Sequence, residues 1–181
     1  VLGGEPCTKE VYADKEFYFN QNGQLVLINV TRPVVKDALD GALSAYKKAW
    51  EVDVKQSKAK KIAAELDVLA KKYLDEGMNS YMFENYAEAS QKFEKAAEAA
   101  GSAPLGKVDS TAIYNAGFTA WMVKDYPRAK AFFEKCLAVN YYYEDGEVFA
   151  KLADVNKNLG DADGARVALE KLIADGRIHP A

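Results

Sequence analysis

The chain repeats itself, and the repeat is what most constrains its fold. Residues 70–101, 110–141 and 146–177 align with one another. Gly77, Gly117 and Ala153 share one position, and Ala89, Ala129 and Ala165 a second, the latter spaced 40 and then 36 residues apart. Four residues later come Phe93, Phe133 and Leu169, and three further on Ala96, Cys136 and Leu172. A period in this range marks a stacked array, because one helix pair cannot bury its apolar face alone and must lay it on the next pair. Small residues at the crossings let backbones approach, and the large ones fill the grooves beside them. The turns correspond too, at Glu84–Tyr86, Lys124–Tyr126 and Gly160–Ala162. Asn85, Asp125 and Asp161 stand where a helix start needs a side-chain acceptor for its free N–H groups. Pro127 falls in a first helical turn, where proline is tolerated.

Ahead of the three units the helical pattern begins at Pro33, which suits a first turn because it fixes φ and lacks an N–H that would go unpaired there. Val34, Leu39, Ala42, Leu43, Tyr46, Ala49 and Trp50 recur at spacings near three and four, which predicts one apolar stripe. A second helix is expected over residues 58–83, with Ile62, Leu66, Leu69, Tyr73, Leu74 and Gly77 turned inward. Its length is about twice the average helix. Residues 1–32 read differently. Phe17–Phe19 and Leu25–Val30 flank Asn22-Gly23, a turn dipeptide, so a short hairpin is one reading and an irregular arm packed on the first helices the other.

Tyr114, Asn115, Gly117, Asp125, Tyr126, Ala129, Phe133 and Leu137 in the middle unit carry a pattern that resembles the tetratricopeptide repeat, whose unit is about 34 residues. Tyr73, Gly77, Tyr86, Ala89, Phe93 and Ala96 match it in the first unit. Phe149, Leu152, Ala153, Gly160, Asp161, Ala165 and Leu169 match it in the last. Ala42, Tyr46 and Ala49 look like the second half of a further unit over residues 36–54. The resemblance covers roughly residues 36–179 and implies an all-α fold: a right-handed superhelix of antiparallel helix pairs over 33–181, preceded by an arm over 1–32. The usual closing proline is replaced by Gly101, Tyr141 and Arg177, and Gly101–Lys107 lengthens the first junction.

Catalytic chemistry has little to work with. The single histidine, His179, reads as a solvated tail residue. Cys7 and Cys136 are too few for a disulfide framework, and no His/Cys cluster has metal-ligand spacing. A Ser or Cys nucleophile would lack its base, and no glycine-rich phosphate loop opens a helix after a strand. The expectation is therefore a non-enzyme with no catalytic residues, no metal and no cofactor. With 24 Lys and Arg against 27 Asp and Glu, the net charge is −3. That balance argues against nucleic acid, which is bound by a concentrated basic face. The one basic run, Lys55, Lys58, Lys60 and Lys61, reads as a solvated helix start or a small anion patch. No apolar stretch approaches the roughly 18 residues of a membrane span.

Binding is the better place to look. The resemblance implies that the first helix of each unit lines a concave groove for a peptide or protein. Carried over residue by residue, the groove candidates are Tyr81 and Met82, then Tyr114, Phe118, Trp121 and Met122, then Lys157, with Met78 and Glu147 among their neighbours. A branch of the family grips a C-terminal carboxylate with Lys and Asn; Leu74, Met78, Tyr114 and Phe118 occupy those places here, so this clamp is not expected. Tyr114, Phe118, Trp121 and Met122 are open to two readings, a core stripe or a hot spot of the residue types enriched at interfaces. Tyr141–Tyr143 is either a packed corner or a binding rim.

The leading expectation is a scaffold or adaptor that holds a protein or peptide. The alternatives are a carbohydrate- or small-ligand-binding surface protein and a self-assembling module, that is, a homo-oligomer. Similarity to exported bacterial repeat proteins favours a periplasmic or cell-surface location in a Gram-negative bacterium.

Overall fold

The computed structural model describes residues 1–31 and 37–174. The readings made for Pro33, Val34, Arg177 and His179 fall outside them. Three strands open the chain: β1 (Thr8–Tyr12), β2 (Lys15–Phe19) and β3 (Leu25–Val30), antiparallel in the order β1-β2-β3. The β2–β3 connection follows from local chemistry. The Asn20 side-chain oxygen accepts from the N–H groups of Asn22 and Gln24, both at 3.0 Å, and Gly23 takes the positive φ that the turn requires. The hairpin is therefore present, and β1 adds a third strand beside it. Glu16 ties all three strands together, accepting from Lys9 Nζ (2.9 Å) on β1, Tyr18 OH (3.0 Å) on β2 and Asn29 Nδ2 (2.9 Å) on β3.

Seven α-helices follow among the described residues: α1 (Ala38–Val52), α2 (Ala59–Met82), α3 (Tyr86–Gly101), α4 (Ser110–Met122), α5 (Tyr126–Ala138), α6 (Glu147–Asn158) and α7 (Ala162–Ala174). A short 3-10 turn, Glu144–Gly146, leads into α6. The protein is thus mostly helical with a small N-terminal sheet. Each helix packs on the next in chain order. None is long and apolar enough to cross a membrane among the described residues.

The three turns anticipated from the sequence share one geometry. Glu84, Lys124 and Gly160 all have positive φ. The next residue sends its backbone N–H back into the preceding helix: Asn85 to Ser80 O, Asp125 to Ala120 O and Asp161 to Asn156 O, at 2.8–2.9 Å. These bonds satisfy carbonyls that a helix end would otherwise leave free. Asp125 and Asp161 then cap the helix that follows, accepting from Arg128 N (3.3 Å) and Gly164 N (2.8 Å). Asn85 corrects the expectation, since its side chain makes no capping bond. Glu88 in the first turn of α3 supplies the negative charge favoured at a helix start instead.

The small repeat positions do what close packing demands. A Cβ on Gly77 would lie 2.8 Å from the Phe93 ring, and one on Gly117 would lie 2.9 Å from Phe132 Cβ. Polar bridges cross the unit boundary beside them. Arg128 Nε donates to Ser90 Oγ (2.9 Å) and Arg128 Nη2 to Glu94 Oε2 (2.6 Å), while the buried Ser90 hydroxyl donates to Ala116 O (2.8 Å). At the first helix, Tyr73 OH donates to Asp40 Oδ1 at 2.7 Å, fastening α1 to α2. The sheet meets the helices through Gly3 N–H, which donates to Met82 O (2.8 Å), and an edge contact of Tyr18 with Phe83 at 5.4 Å.

Candidate functional site

The first helix of each unit brings aromatic residues to a common place. Met78 and Tyr81 come from the last turns of α2, Tyr114 and Phe118 from α4, Tyr143 from the approach to α6, and Glu147 from its first turn. They surround an open cavity of about 300 Å³, with Phe93 and Thr119 behind and Asn115 on its wall. Their meeting is a consequence of helical spacing. Tyr114 and Phe118 are four residues apart on α4, and so lie one above the other on a single face.

A row of rings runs through the site. Tyr143 stacks on Tyr114 with centroids 4.1 Å apart and planes 12° from parallel. Tyr114 lies 6.0 Å from Phe118, and Phe118 lies 5.9 Å from Trp121. Offset contacts of this kind stabilise aromatic pairs beyond the area they bury. Lys151 of α6 closes the far end, its ammonium 3.6 Å from the Trp121 ring centroid and 5.3 Å from that of Phe118, an attraction to the negative ring faces. The same ammonium lies 3.5 Å from Glu147. Trp121 Nε1 donates to Asp154 Oδ2.

Electrostatics keep the centre of the site in one protonation state. Burial pushes the Tyr114 hydroxyl well above the usual phenol range, and the hydrogen bond and charge of Glu147 push it the same way. Tyr143 is raised as well, first by the charge of Glu144. Both therefore stay neutral across ordinary pH, as hydroxyls able to donate and accept. The site offers ring faces, a hydroxyl and a carboxylate for recognition.

The seven sequence-derived groove residues do not all meet. Tyr81, Tyr114 and Phe118 line the cavity, and Trp121 extends their row. Met82 is half-buried at the end of α2, where its carbonyl receives the N-terminal arm, and Met122 is exposed at the end of α4. Lys157 belongs to a separate groove between α6 and α7. The stripe is divided between the two readings made of it. Tyr114 is 4% exposed and packs with Ala129, Phe133 and Leu152 in the core, while Phe118 and Trp121 remain half-buried at its edge. Lys151 and Thr119 escaped the sequence reading, which carried over only the groove positions of the repeat. The i, i+4 spacing of Glu147 and Lys151 was the signal available for the former.

No protein-family model matches the chain, and no curated protein matches it. Among solved structures, the crystal structure of BtubC (BKLC) from P. vanneervenii is similar, at 21% sequence identity and a TM-score of 0.44, over 79% of this chain and 60% of that one. The chain thus spans less than two thirds of that protein's length.

Proposed function

We propose that this chain is a tetratricopeptide-type scaffold, a right-handed superhelix of antiparallel helix pairs, that holds a peptide segment of a protein partner against α2, α4 and α6. One observation carries the reading: Tyr81, Tyr114, Phe118 and Tyr143, from three separate elements, converge on one open cavity. A pocket of this volume takes one large apolar or aromatic side chain, and anchoring residues of that kind supply most of the energy of peptide recognition. Asn115 and Glu147 on the wall fix its orientation. Leu74, Met78, Tyr114 and Phe118 leave no cationic clamp for a terminal carboxylate, so the bound segment is internal to its partner's chain.

Selection from a displayed library of random peptides tests this directly. The enriched sequences should share an apolar or aromatic anchor. Their affinity should fall about tenfold or more on Phe118→Ala or Tyr81→Ala. Amidation of the peptide C-terminus should leave affinity unchanged. The proposal fails if no sequence is enriched, or if the enriched peptides bind the folded Phe118→Ala variant as well as they bind the original chain.

A further inference from the structure

The last repeat unit ends with a face that the other two cover. Phe93, Phe133 and Leu169 occupy one repeat position, yet Phe93 and Phe133 are 2% and 0% exposed and Leu169 is 47% exposed. Four residues on, Ala97 and Leu137 are half-buried while Ile173 is 55% exposed. The coverage comes from the first helix of the following unit. Ile113 and Ala116 of α4 pack with Ala89 and Phe93, and Val148, Leu152 and Val155 of α6 share a cluster with Ala129 and Phe133. Among the described residues no helix follows α7. In its place Ala165, Leu169 and Ile173, with Ala153 and Gly160, line an open groove of about 620 Å³. A surface of the kind that twice receives a helix within this chain has the ridges and grooves to receive a third.

α7 also carries both halves of such a contact. Its first half presents small residues, Ala162 and Ala165, and its second half presents large ones, Leu169 and Ile173. Two α7 helices laid antiparallel about a two-fold axis at their middle set Ile173 of each copy over Ala162 of the other, and Leu169 beside Ala165. This is the self-complementarity that an isologous interface requires. The charges obey the same operator. Arg166 and Glu170 are exposed on the groove edge, one helical turn apart, and pair with each other within α7 at 2.6 Å, a pair that a second copy extends into a four-charge network. The two-fold brings Arg166 of each copy beside Glu170 of the other, so that opposite charges flank the apolar seam as they do in paired helices.

We propose that the exposed face of α7 is a homodimer interface, formed by the antiparallel pairing of two α7 helices. It shares no residue with the aromatic cavity, so dimerisation presents two peptide sites at once. One helix pair is a small contact, at the low end of specific interfaces, so the association depends on concentration.

Sedimentation equilibrium of the full chain from micromolar to about millimolar concentration should show a reversible monomer–dimer transition. Leu169→Glu and Ile173→Glu should each weaken it about tenfold or more, with the helical circular dichroism retained because both side chains are exposed. The decisive arm uses charge. Arg166→Glu and Glu170→Arg should each be monomeric alone, since each homodimer then sets like charges together. Mixed in equal amounts, the two variants should form a heterodimer with every charge matched. A chain that stays monomeric throughout, a dimer indifferent to Leu169→Glu, or a mixture that forms no heterodimer would each overturn the proposal.

Discussion

Trp121 Nε1 donates to Asp154 Oδ2 at 2.7 Å, and this one bond joins α4 to α6 beside the aromatic cavity. Both side chains are half-buried. Asp154→Ala leaves the indole N–H without its partner and should cost about 1 kcal/mol, the ordinary net worth of such a bond. Asp154→Asn keeps an acceptor and should cost less. Urea denaturation followed by tryptophan fluorescence measures both; equal losses in the two variants would show that the charge of Asp154 matters and its acceptor oxygen does not.

The packing glycines and an open one should respond with opposite signs. In Gly117→Ala the new methyl meets Phe132 Cβ at 2.9 Å, an atom next to the backbone that cannot swing aside. Overpacking of this sort costs about 1–3 kcal/mol, against a helix-propensity gain of at most about 1. At Gly41, inside α1, an added methyl would meet nothing within 4 Å, so Gly41→Ala should stabilise by about 0.5–1 kcal/mol. Thermal unfolding of the two variants gives the signs, and a stabilised Gly117→Ala would mean that α4 and α5 are not in close contact.

The N-terminal sheet should loosen in acid. Hydrogen bonds from Asn29, Lys9 and Tyr18 hold the Glu16 carboxyl down to about 2, from an ordinary 4.5. A depressed value means that folding favours the carboxylate. The contribution is therefore complete above pH 4.5 and is lost as the pH falls towards 2. Lys107 and Lys71 hold Asp67 to about 2 in the same way, between α2 and the junction before α4. Amide spectra of β1–β3 recorded down this range should broaden or shift together, and Glu16→Gln should remove the transition while Asp67 still titrates. A sheet transition unchanged in Glu16→Gln would place the acid sensitivity elsewhere.

The helices were legible because their causes are local. The repeated small-then-large spacing places α3 to α7, and the run from Ile62 to Gly77 places α2 to within a residue of residues 58–83. What was missed depends on how one element meets another. β1 is exposed along its length and carries no apolar alternation; it is a strand because β2 offers its edge. The aromatic cavity was half legible. Tyr81, Tyr114 and Phe118 follow from repeat position, but the stacking of Tyr143 on Tyr114 depends on the turn before α6, where Tyr143 itself has positive φ. Leu169 defeats the repeat logic for the same reason: equal position predicts equal burial only where a following helix supplies the cover.

Tyr73 gives the final prediction, because it alone among the fully buried aromatics reaches a polar partner on α1. Its ring is 0% exposed, and its hydroxyl donates to Asp40 Oδ1 at 2.7 Å. Tyr73→Phe keeps the packing and removes only the hydrogen bond, leaving Asp40 beside an apolar ring edge. The cost should be about 1–2 kcal/mol, since the acceptor is a carboxylate. The loss should also be local. α1 packs on α2 and stands at the end of the helical stack, so its attachment can weaken while α4 to α7 hold. Hydrogen exchange by mass spectrometry should show faster exchange over residues 38–52 and unchanged protection over 110–158. Uniform acceleration along the chain would instead make α1 part of one cooperative unit with the repeats, and Tyr73 a determinant of the whole fold.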